Sequence, residues 1–577
     1  MAVIKSGSRL RYLMLAYLTL GATLAFAGPR RISKDLKNQS AGQWVNVIVQ
    51  YRVPPSQAHL DRAVAKGAVL QLNLPVINGS AFAVKSSALA ALAKDPDVAY
   101  ISLDRAVWAT ATVTDFYDQA VVAPYAWSKN LSGSGIGVAV IDSGINAGKD
   151  FTLASGTGSR IVYNQSFVGG QTTANDLYGH GTHVAGILAG NGTNSRGTKF
   201  RKTFMGIADN VNLINLRVLD QNGGGLDSSV IAAIQRAISL KSKYNIRVIN
   251  LSLGRPVYES YKLDPLCQAV EAAWKAGIVV VVAAGNEGRN NSARTDGYGT
   301  IAAPGNDPYA ITVGAMKPMG TSTRADDLIA SYSSKGPTLF DHVVKPDVVA
   351  PGNLVISVLA SSTATLVKAA PENIVALNSY STTAKGTSSY FTLSGTSMAT
   401  PVVSGAVALL LQKNGSLTPD QVKARLMKSA YKTFPRYSTA KDPTTGKTYT
   451  SQYDIFTVGA GYLDIQAALS STDLAPAAFG SAKSPSVARD KSKNVYLVTG
   501  SSILWGGSVT WGTSVVWGTS VLWGTSVAGE SILWGSSAPW GSSVDGGYSV
   551  LWGTSIIWGT SDENVTEAIP IEIEGEE

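Results

Sequence analysis

The 577-residue chain has a single cysteine, Cys267, and four histidines, His59, His180, His183 and His342. One cysteine excludes an intrachain disulfide framework and any multi-cysteine zinc or iron–sulfur site. Four histidines leave few places for a general base. Charged residues make up 15% of the chain against 45% hydrophobic, too apolar for a wholly disordered polymer, and the length is too great for one ordinary domain. The 58 glycines promise many turns, but they follow no G-X-Y period and so exclude collagen. Beyond the N-terminal region no stretch is long and apolar enough to span a bilayer. The formal charge of +9 comes without a Lys/Arg block interleaved with aromatics, so no nucleic-acid partner is expected.

That charge is unevenly spread. Lys5, Arg9 and Arg11 lie in the first 27 residues, while residues 28–109 hold ten basic and five acidic side chains. Residues 562–577 carry seven acidic side chains and no basic one. Residues 1–27 read as a secretory signal peptide: a basic start, an apolar run from Tyr12 to Phe26, and the cleavage pattern Ala25-Phe26-Ala27. The expected location is therefore secreted, extracellular or in the cell envelope, with no transmembrane anchor in the mature chain. A lone cysteine suits an oxidising compartment where stability does not rest on disulfides. Without residues 1–109 the remaining chain is close to neutral.

The pattern changes several times along the chain. Within residues 28–109, the stretch 44–104 reads β-α-β-β-α-β, the split βαβ order of ferredoxin-like units. Val45, Val47 and Val49 alternate at strand period, Ser56–Lys66 has helical spacing, and Asn78-Gly79 signals a hairpin. Ser86 caps a predicted helix through Lys94. Across 110–470, buried-type strands at 137–141, 211–218, 248–251, 278–283 and 310–313 alternate with helical segments such as 228–240 and 265–276. This predicts a parallel sheet with crossover helices. Residues 362–390 read as an inserted loop or hairpin, and 471–500 as a linker. In 501–561 a hexad of the form Ser-Val-x-Trp-Gly-Thr recurs, with Trp505, Trp511, Trp517 and Trp523 six apart. One hexad cannot bury its own Trp, so the repeat predicts stacked β-type units. An acidic tail, 562–577, follows.

Four segments carry chemistry. Val138–Gly144 delivers Asp142 at the C-terminal end of a buried strand, where open α/β sheets place ligands. His180-Gly181-Thr182-His183 opens a helix; without a His-Glu zincin motif, His180 is the functional candidate and His183 the packing one. Val279–Gly288 ends an apolar strand in a turn that exposes the Asn286 amide, a donor suited to a developing oxyanion. Ser394–Pro401 runs into a helix, and Pro401, expected in its first turn, sets Ser397 at the helix N-terminus. There unpaired N–H groups and the dipole favour an oxyanion.

Together, in the order Asp142, His180, Asn286, Ser397, these segments resemble the subtilisin-like serine peptidases, the subtilases. The resemblance implies a subtilisin-like doubly wound parallel sheet. A small α+β ferredoxin-like propeptide domain precedes it, and the Trp-rich β-type hexad tail follows. It implies that His180 takes the Ser397 proton, Asp142 orients His180, and Asn286 with the Ser397 N–H binds the oxyanion. Ser252, Leu253 and Gly254, and Gly223, Gly224 and Gly225, match segments that pair with an extended substrate, while Ala284, Gly285 and Glu287 match the first specificity pocket. Arg255 departs from the Gly common there and would narrow the pocket or favour acidic residues. The implied partners are polypeptide substrates and the chain's own propeptide as intramolecular inhibitor. No cofactor is assigned; the family allows a structural Ca²⁺, but the loop 190–201 offers no carboxylate cluster and no ligands are named.

Two other readings stand beside the peptidase. One is a catalytically silent relative that binds peptides, which has no need of Asp142, His180, Asn286 and Ser397 together. The other makes the Trp repeat a surface or carbohydrate-binding module. A dinucleotide enzyme is excluded, because Gly133, Gly135 and Gly137 precede a strand instead of following one.

Overall fold

The structure, a computed structural model, describes residues 31–38, 40, 42–107, 116–153, 155–383, 386–442, 445–489, 573, 575 and 576, with five short strand segments between 495 and 540. The expected signal peptide, the region 108–113 of the propeptide junction and most of the hexad repeat lie outside the described residues.

The N-terminal unit is built from β1 (Trp44–Tyr51), α1 (Gln57–Ala65), β2 (Val69–Leu74), β3 (Gly79–Lys85), α2 (Leu89–Ala93) and β4 (Val98–Leu103). Its antiparallel sheet has the order β2-β3-β1-β4. The turn between β2 and β3 is longer than a two-residue hairpin: a 3-10 turn, Pro75–Ile77, precedes Asn78, whose φ of 51° is tolerated by its short polar side chain. The helix expected from Ser86 begins instead as a 3-10 turn at Ser86–Ala88. Val47, Val49, Phe82 and Val84 close a core of the unit's own, while Ile48, Leu74 and Ala81 are continuous with the main core. After β4 the chain forms β5 (Ala106–Val107).

The larger unit starts with two short helices, α3 (Tyr117–Ala120) and α4 (Ala123–Ser128). Its sheet contains β6 (Gly137–Asp142), β7 (Ile161–Ser166), β8 (Asn212–Arg217), β10 (Ile246–Leu251), β11 (Val279–Ala283), β12 (Ile311–Lys317), β13 (Leu328–Ile329) and β14 (Val348–Pro351). The order is β13-β12-β11-β10-β6-β8-β7, with β14 also on β12; every pairing is parallel except β12 with β13. The central strands β6, β11 and β12 are apolar runs buried along their length, as parallel strands covered on both faces must be, whereas β7 at the edge is partly exposed. The covering helices are α5 (His180–Ala189), α6 (Asp227–Tyr244), α7 (Pro265–Lys275) and α10 (Thr396–Lys413). α10 crosses β10, β11 and β12 and packs on α5, whereas α6 lies on β6, β8 and β10 and packs on α7. The small unit rests β2 on α6 and its 75–77 turn on α7.

The insertion expected at 362–390 joins two antiparallel strands and carries short helices that the sequence reading did not foresee. They are α8 (Thr365–Ala369) and α9 (Leu377–Tyr380), inserted between the antiparallel strands β15 (Val355–Val358) and β16 (Tyr390–Leu393). Buried Leu366, Val367 and Tyr380 explain why the insertion folds. Helix α11 (Pro419–Ser429) and a hairpin of β17 (Tyr437–Lys441) with β18 (Thr448–Gln452) follow. The first part of the expected linker is also packed: Phe479 stacks on Tyr309, the Val487 N–H donates to the His342 carbonyl, and Ala482 is buried. Beyond it β19 (Ser486–Arg489) pairs with β20 (Val495–Val498). In the hexad region β21 (Val515–Val516), β22 (Leu522–Trp523), β23 (Ile532–Trp534) and β24 (Ala538–Trp540) pair antiparallel in sequence order.

Candidate active site

The carboxyl ends of β6, β10 and β11 lie side by side, the edge at which open α/β sheets collect their functional groups. Asp142 is the last residue of β6. Its Oδ1 accepts from the Ser143 N–H at 2.7 Å and lies 2.7 Å from His180 Nδ1. His180 opens α5, and what fixes that helix start is a residue with no evident sequence signal, Asp176. The buried Asp176 carboxylate accepts from the N–H groups of Gly179 and Thr182 and from Ser143 Oγ, which itself accepts from the Gly181 N–H. One network therefore clamps the end of β6 to the first turn of α5. Gly181 is required there, since a Cβ would fall 2.2 Å from the Gly144 carbonyl oxygen.

His183, one turn further, is separated from this chemistry. Its Nε2 faces two acceptors, the carbonyls of Val355 and Phe391, each at 3.1 Å, so that nitrogen carries a proton and donates. Burial, with the nearby His180, pushes its pKa down to about 3. It is a neutral strut tying α5 to the β15–β16 hairpin.

Ser397 is the second residue of α10. Pro401 lies deeper in the helix than the first turn, and the reason is local. Lacking an N–H, Pro401 cannot bond the Ser397 carbonyl, and Ser252 Oγ donates to that carbonyl at 2.7 Å instead. Ser397 Oγ in turn donates to the Ser252 carbonyl at 3.1 Å. Gly395, at φ 133°, makes the sharp entry into the helix. His180 Nε2 is buried without a hydrogen-bond partner among the described residues, as befits a resting site whose working contact tightens with substrate. Asp142, His180 and Ser397 are 1%, 0% and 2% exposed.

Asn286 follows β11. Its Oδ1 accepts from both the N–H and the hydroxyl of Thr396, the residue before Ser397, at 3.0 Å, which assigns the amide orientation and leaves the NH₂ as the donor end. Gly285 donates to Thr396 Oγ1 and Glu287 to Ser334 Oγ, fixing the turn on both sides. Ala284 and Gly254 both approach Ala302, the former by backbone pairing. Leu253 is buried.

Of the three glycines expected to meet an extended chain, Gly225 lies in a strand, β9 (Gly225–Leu226). Its partner is β5: Ala106 pairs with Leu226 and Val107 with Gly225, antiparallel. Gly224 donates to Asp220, and Gly223 packs on the Tyr178 ring. Just before β5, Asp104 accepts from the Ser228 N–H at 2.6 Å and from its hydroxyl, at the start of α6. Arg105 donates to Glu259 at 2.7 Å and to Asp35.

Arg255 does not present the free charge that would favour acidic residues. Its guanidinium is buried and donates to both oxygens of Asp227 and of Asp264. Two carboxylates neutralise it, so no charge is left to select acidic residues.

The loop 190–201 does not fit a Ca²⁺ ion. The Asp150 carboxylate that reaches it is already engaged, accepting from the Asn194 N–H and the Tyr390 hydroxyl. The carbonyls of Asp150, Thr152, Ala189 and Val211 all accept from the buried Arg160 guanidinium at 2.6–3.3 Å. A cation is already built into that carbonyl cage, whereas Ca²⁺ needs six to eight oxygen ligands. Among the described residues no group of three or more His, Cys, Asp or Glu side chains could hold a metal.

A buried carboxylate–imidazole pair, a serine at a helix N-terminus and an oriented amide define a class: hydrolases that work through an activated serine. The profile of the Subtilase family matches residues 133–461. The chain is 38% identical over 336 residues to the serine protease AprX of Bacillus subtilis, covering 56% of this chain and 68% of AprX. It is 33% identical over 420 residues to subtilisin E of the same organism, covering 72% and 92%. The fold is similar to that of fervidolysin from Fervidobacterium pennivorans at a TM-score of 0.55 and 20% identity, over 78% of this chain and 63% of fervidolysin. The chain belongs to the subtilase family of serine endopeptidases.

Proposed function

We propose that the protein is a secreted endopeptidase, made as a precursor that processes itself, in which Asp142, His180 and Ser397 form the catalytic triad. The observation that carries this reading is the 2.7 Å Asp142–His180 contact, made from a helix, α5, that packs on α10, the helix whose second residue is Ser397. Ser397 attacks the scissile carbonyl while His180 Nε2 takes its proton and later passes it to the leaving amine. Asp142, bonded to Nδ1, holds the tautomer and stabilises the imidazolium. The Asn286 NH₂ and the Ser397 N–H bind the oxyanion, and water then hydrolyses the acyl-enzyme by the same route in reverse. The reading needs no cofactor.

Substrates are extended polypeptides that add a strand to Gly225–Leu226, recognised largely through main chain. The pairing of Ala106–Val107 with that strand supports reading residues 28–109 as an inhibitor whose last segment sits as a substrate would. Ser252–Gly254 lines the other side, and Ala284, Gly285 and Glu287 bound the first pocket. The N-terminal apolar run supports export, and among the described residues no helix is long and apolar enough to cross a membrane.

The test is Ser397→Ala expressed in a host lacking other proteases. It should accumulate with residues 28–109 still covalently attached, while the wild type matures and is labelled by an active-site serine reagent. Normal maturation of the variant would remove self-processing. A matured wild type that takes no label would favour a silent peptide-binding relative.

A further inference from the structure

The acidic C-terminus, far from Ser397 in sequence, returns to the catalytic body. Glu576 is 0% exposed. Its Oε1 accepts from Arg289 Nη2 at 2.7 Å, from the Ser331 N–H at 2.9 Å and from the Ser331 hydroxyl. Its main chain is read as well: the Glu576 N–H donates to Asn353 Oδ1 at 3.1 Å, and Asn353 Nδ2 donates to the Glu576 carbonyl at 2.9 Å. A side-chain amide that makes both bonds to one residue's backbone imitates a strand partner. Three residues upstream, the Ile573 carbonyl accepts from Asn373 Nδ2 at 2.8 Å.

We propose that Arg289, Ser331 and Asn353 form a glutamate-recognition socket whose ligand is this chain's own C-terminal segment, tying the Trp-hexad region back onto the catalytic body. The socket is built independently of its occupant. Arg289 is held by Asp442 and by Ser331 Oγ, and its guanidinium lies 5.0 Å from the centre of the Tyr449 ring. Asn353 Oδ1 also accepts from Ser394 Oγ and Tyr332 Oη. A buried carboxylate demands such charge-assisted partners, and a generic acidic tail would have stayed in water.

The placement gives docking a consequence. Arg289 lies three residues after Asn286, and Ser394 three before Ser397. Gly288 donates to the Tyr332 carbonyl and Gly395 to the Gly352 carbonyl, so the socket walls are the neighbours of the oxyanion turn and the serine loop. Residues up to 489 on one side and residues 573, 575 and 576 on the other are thus both seated on the catalytic body.

The test uses the inactive Ser397→Ala chain ending at residue 570 and a fluorescent peptide of residues 571–577, Ile-Glu-Ile-Glu-Gly-Glu-Glu, followed by anisotropy. The peptide should bind this chain and be excluded from the Ser397→Ala chain of full length. A Glu576→Gln peptide should bind at least about tenfold more weakly, the loss of charge-assisted bonds, whereas Glu574→Gln, equal in charge, should bind nearly as well as the parent. To guard against misfolding of the shortened chain, full-length Ser397→Ala carrying Glu576→Gln should admit the labelled peptide at least about tenfold better than its parent. Equal binding of the two substituted peptides, or equal uptake by all chains, or no binding in the millimolar range, would overturn the proposal.

Discussion

Ser252 was expected among the residues that meet substrate, and its side chain has a different task. Pro401 leaves the Ser397 carbonyl without its helical donor, and the Ser252 hydroxyl supplies one while accepting from Asn250 Nδ2 at 2.9 Å. Removing that hydroxyl leaves a buried carbonyl and a buried amide each short of a partner. Ser252→Ala should therefore lower stability by roughly 1–3 kcal/mol, read by denaturant unfolding of the Ser397→Ala background to exclude self-digestion. It should also lower kcat more than it raises KM, because the carbonyl concerned belongs to the nucleophile. A fully stable variant with unchanged kcat would show that Ser252 is only a lining residue. Arg255 teaches the same lesson: a residue type suggested a pocket charge, but Asp227 and Asp264, distant from the motif, consume it.

Among elements, the Arg160 cage does the work of an ion. Its four carbonyls come from residues 150–152, the end of α5 and the entry to β8, so one guanidinium joins three segments around the loop 190–201. Burial lowers the Arg160 pKa to about 10, which leaves it charged at neutral pH. Arg160→Ala should cost at least ~3 kcal/mol, the signature of a broken buried network, and Arg160→Lys should recover only part, since one ammonium has three donors for four carbonyls. The melting temperature of the wild type should not move on adding a chelator; a large drop would mean that a metal, and not Arg160, holds the body together. The sequence made five of the eight sheet strands visible, because central parallel strands buried on both faces are continuous apolar runs; β7, half exposed and polar in its second half, and the short β13 and β14 carry no such signal. Asp142, His180, Asn286 and Ser397 were legible because each sits at a strand end or helix start with its own local pattern. Asp176, Arg160 and Asn353 were not legible, because each acts partly through a segment that no local pattern connects to it: Asp176 through Ser143, Arg160 through Ala189 and Val211, Asn353 through Ser394 and Glu576. The helices of the insertion, 365–380, and the packed segment 471–489 were missed for a related reason: short, Ser/Thr- or Pro-rich stretches fold on the core they meet, not on a period of their own.

At the scale of the whole molecule the contact between the small unit and the catalytic body is a buried ionic cluster. Asp104 reaches the N-terminus of α6, whose N–H and hydroxyl groups favour its charge, yet burial and the neighbouring Asp227 raise its pKa to about 7. Asp227, itself raised to about 6, is held by Arg255, and Arg105 with Glu259 completes the cluster. On the release proposed for the small unit, Asp104 would meet water and return to the ordinary carboxylate range near 4. The docked state therefore binds more protons than the released state between about pH 4 and pH 7. The sign follows: docking is strongest on the acid side and weakens as pH rises from about 4 to about 7, with no further loss from this group above that. Release of residues 28–109 after processing should be slow at pH 5 and faster at pH 8. Asp104→Asn keeps the hydrogen-bond acceptor without the charge and should slow release at pH 8 to near the pH 5 rate while changing little at pH 5. Intact-mass time courses of the processed complex at the two pH values measure this directly. A wild type whose release is fastest at pH 5, or an Asn variant that keeps the wild-type pH dependence, would remove Asp104 as the group that sets it.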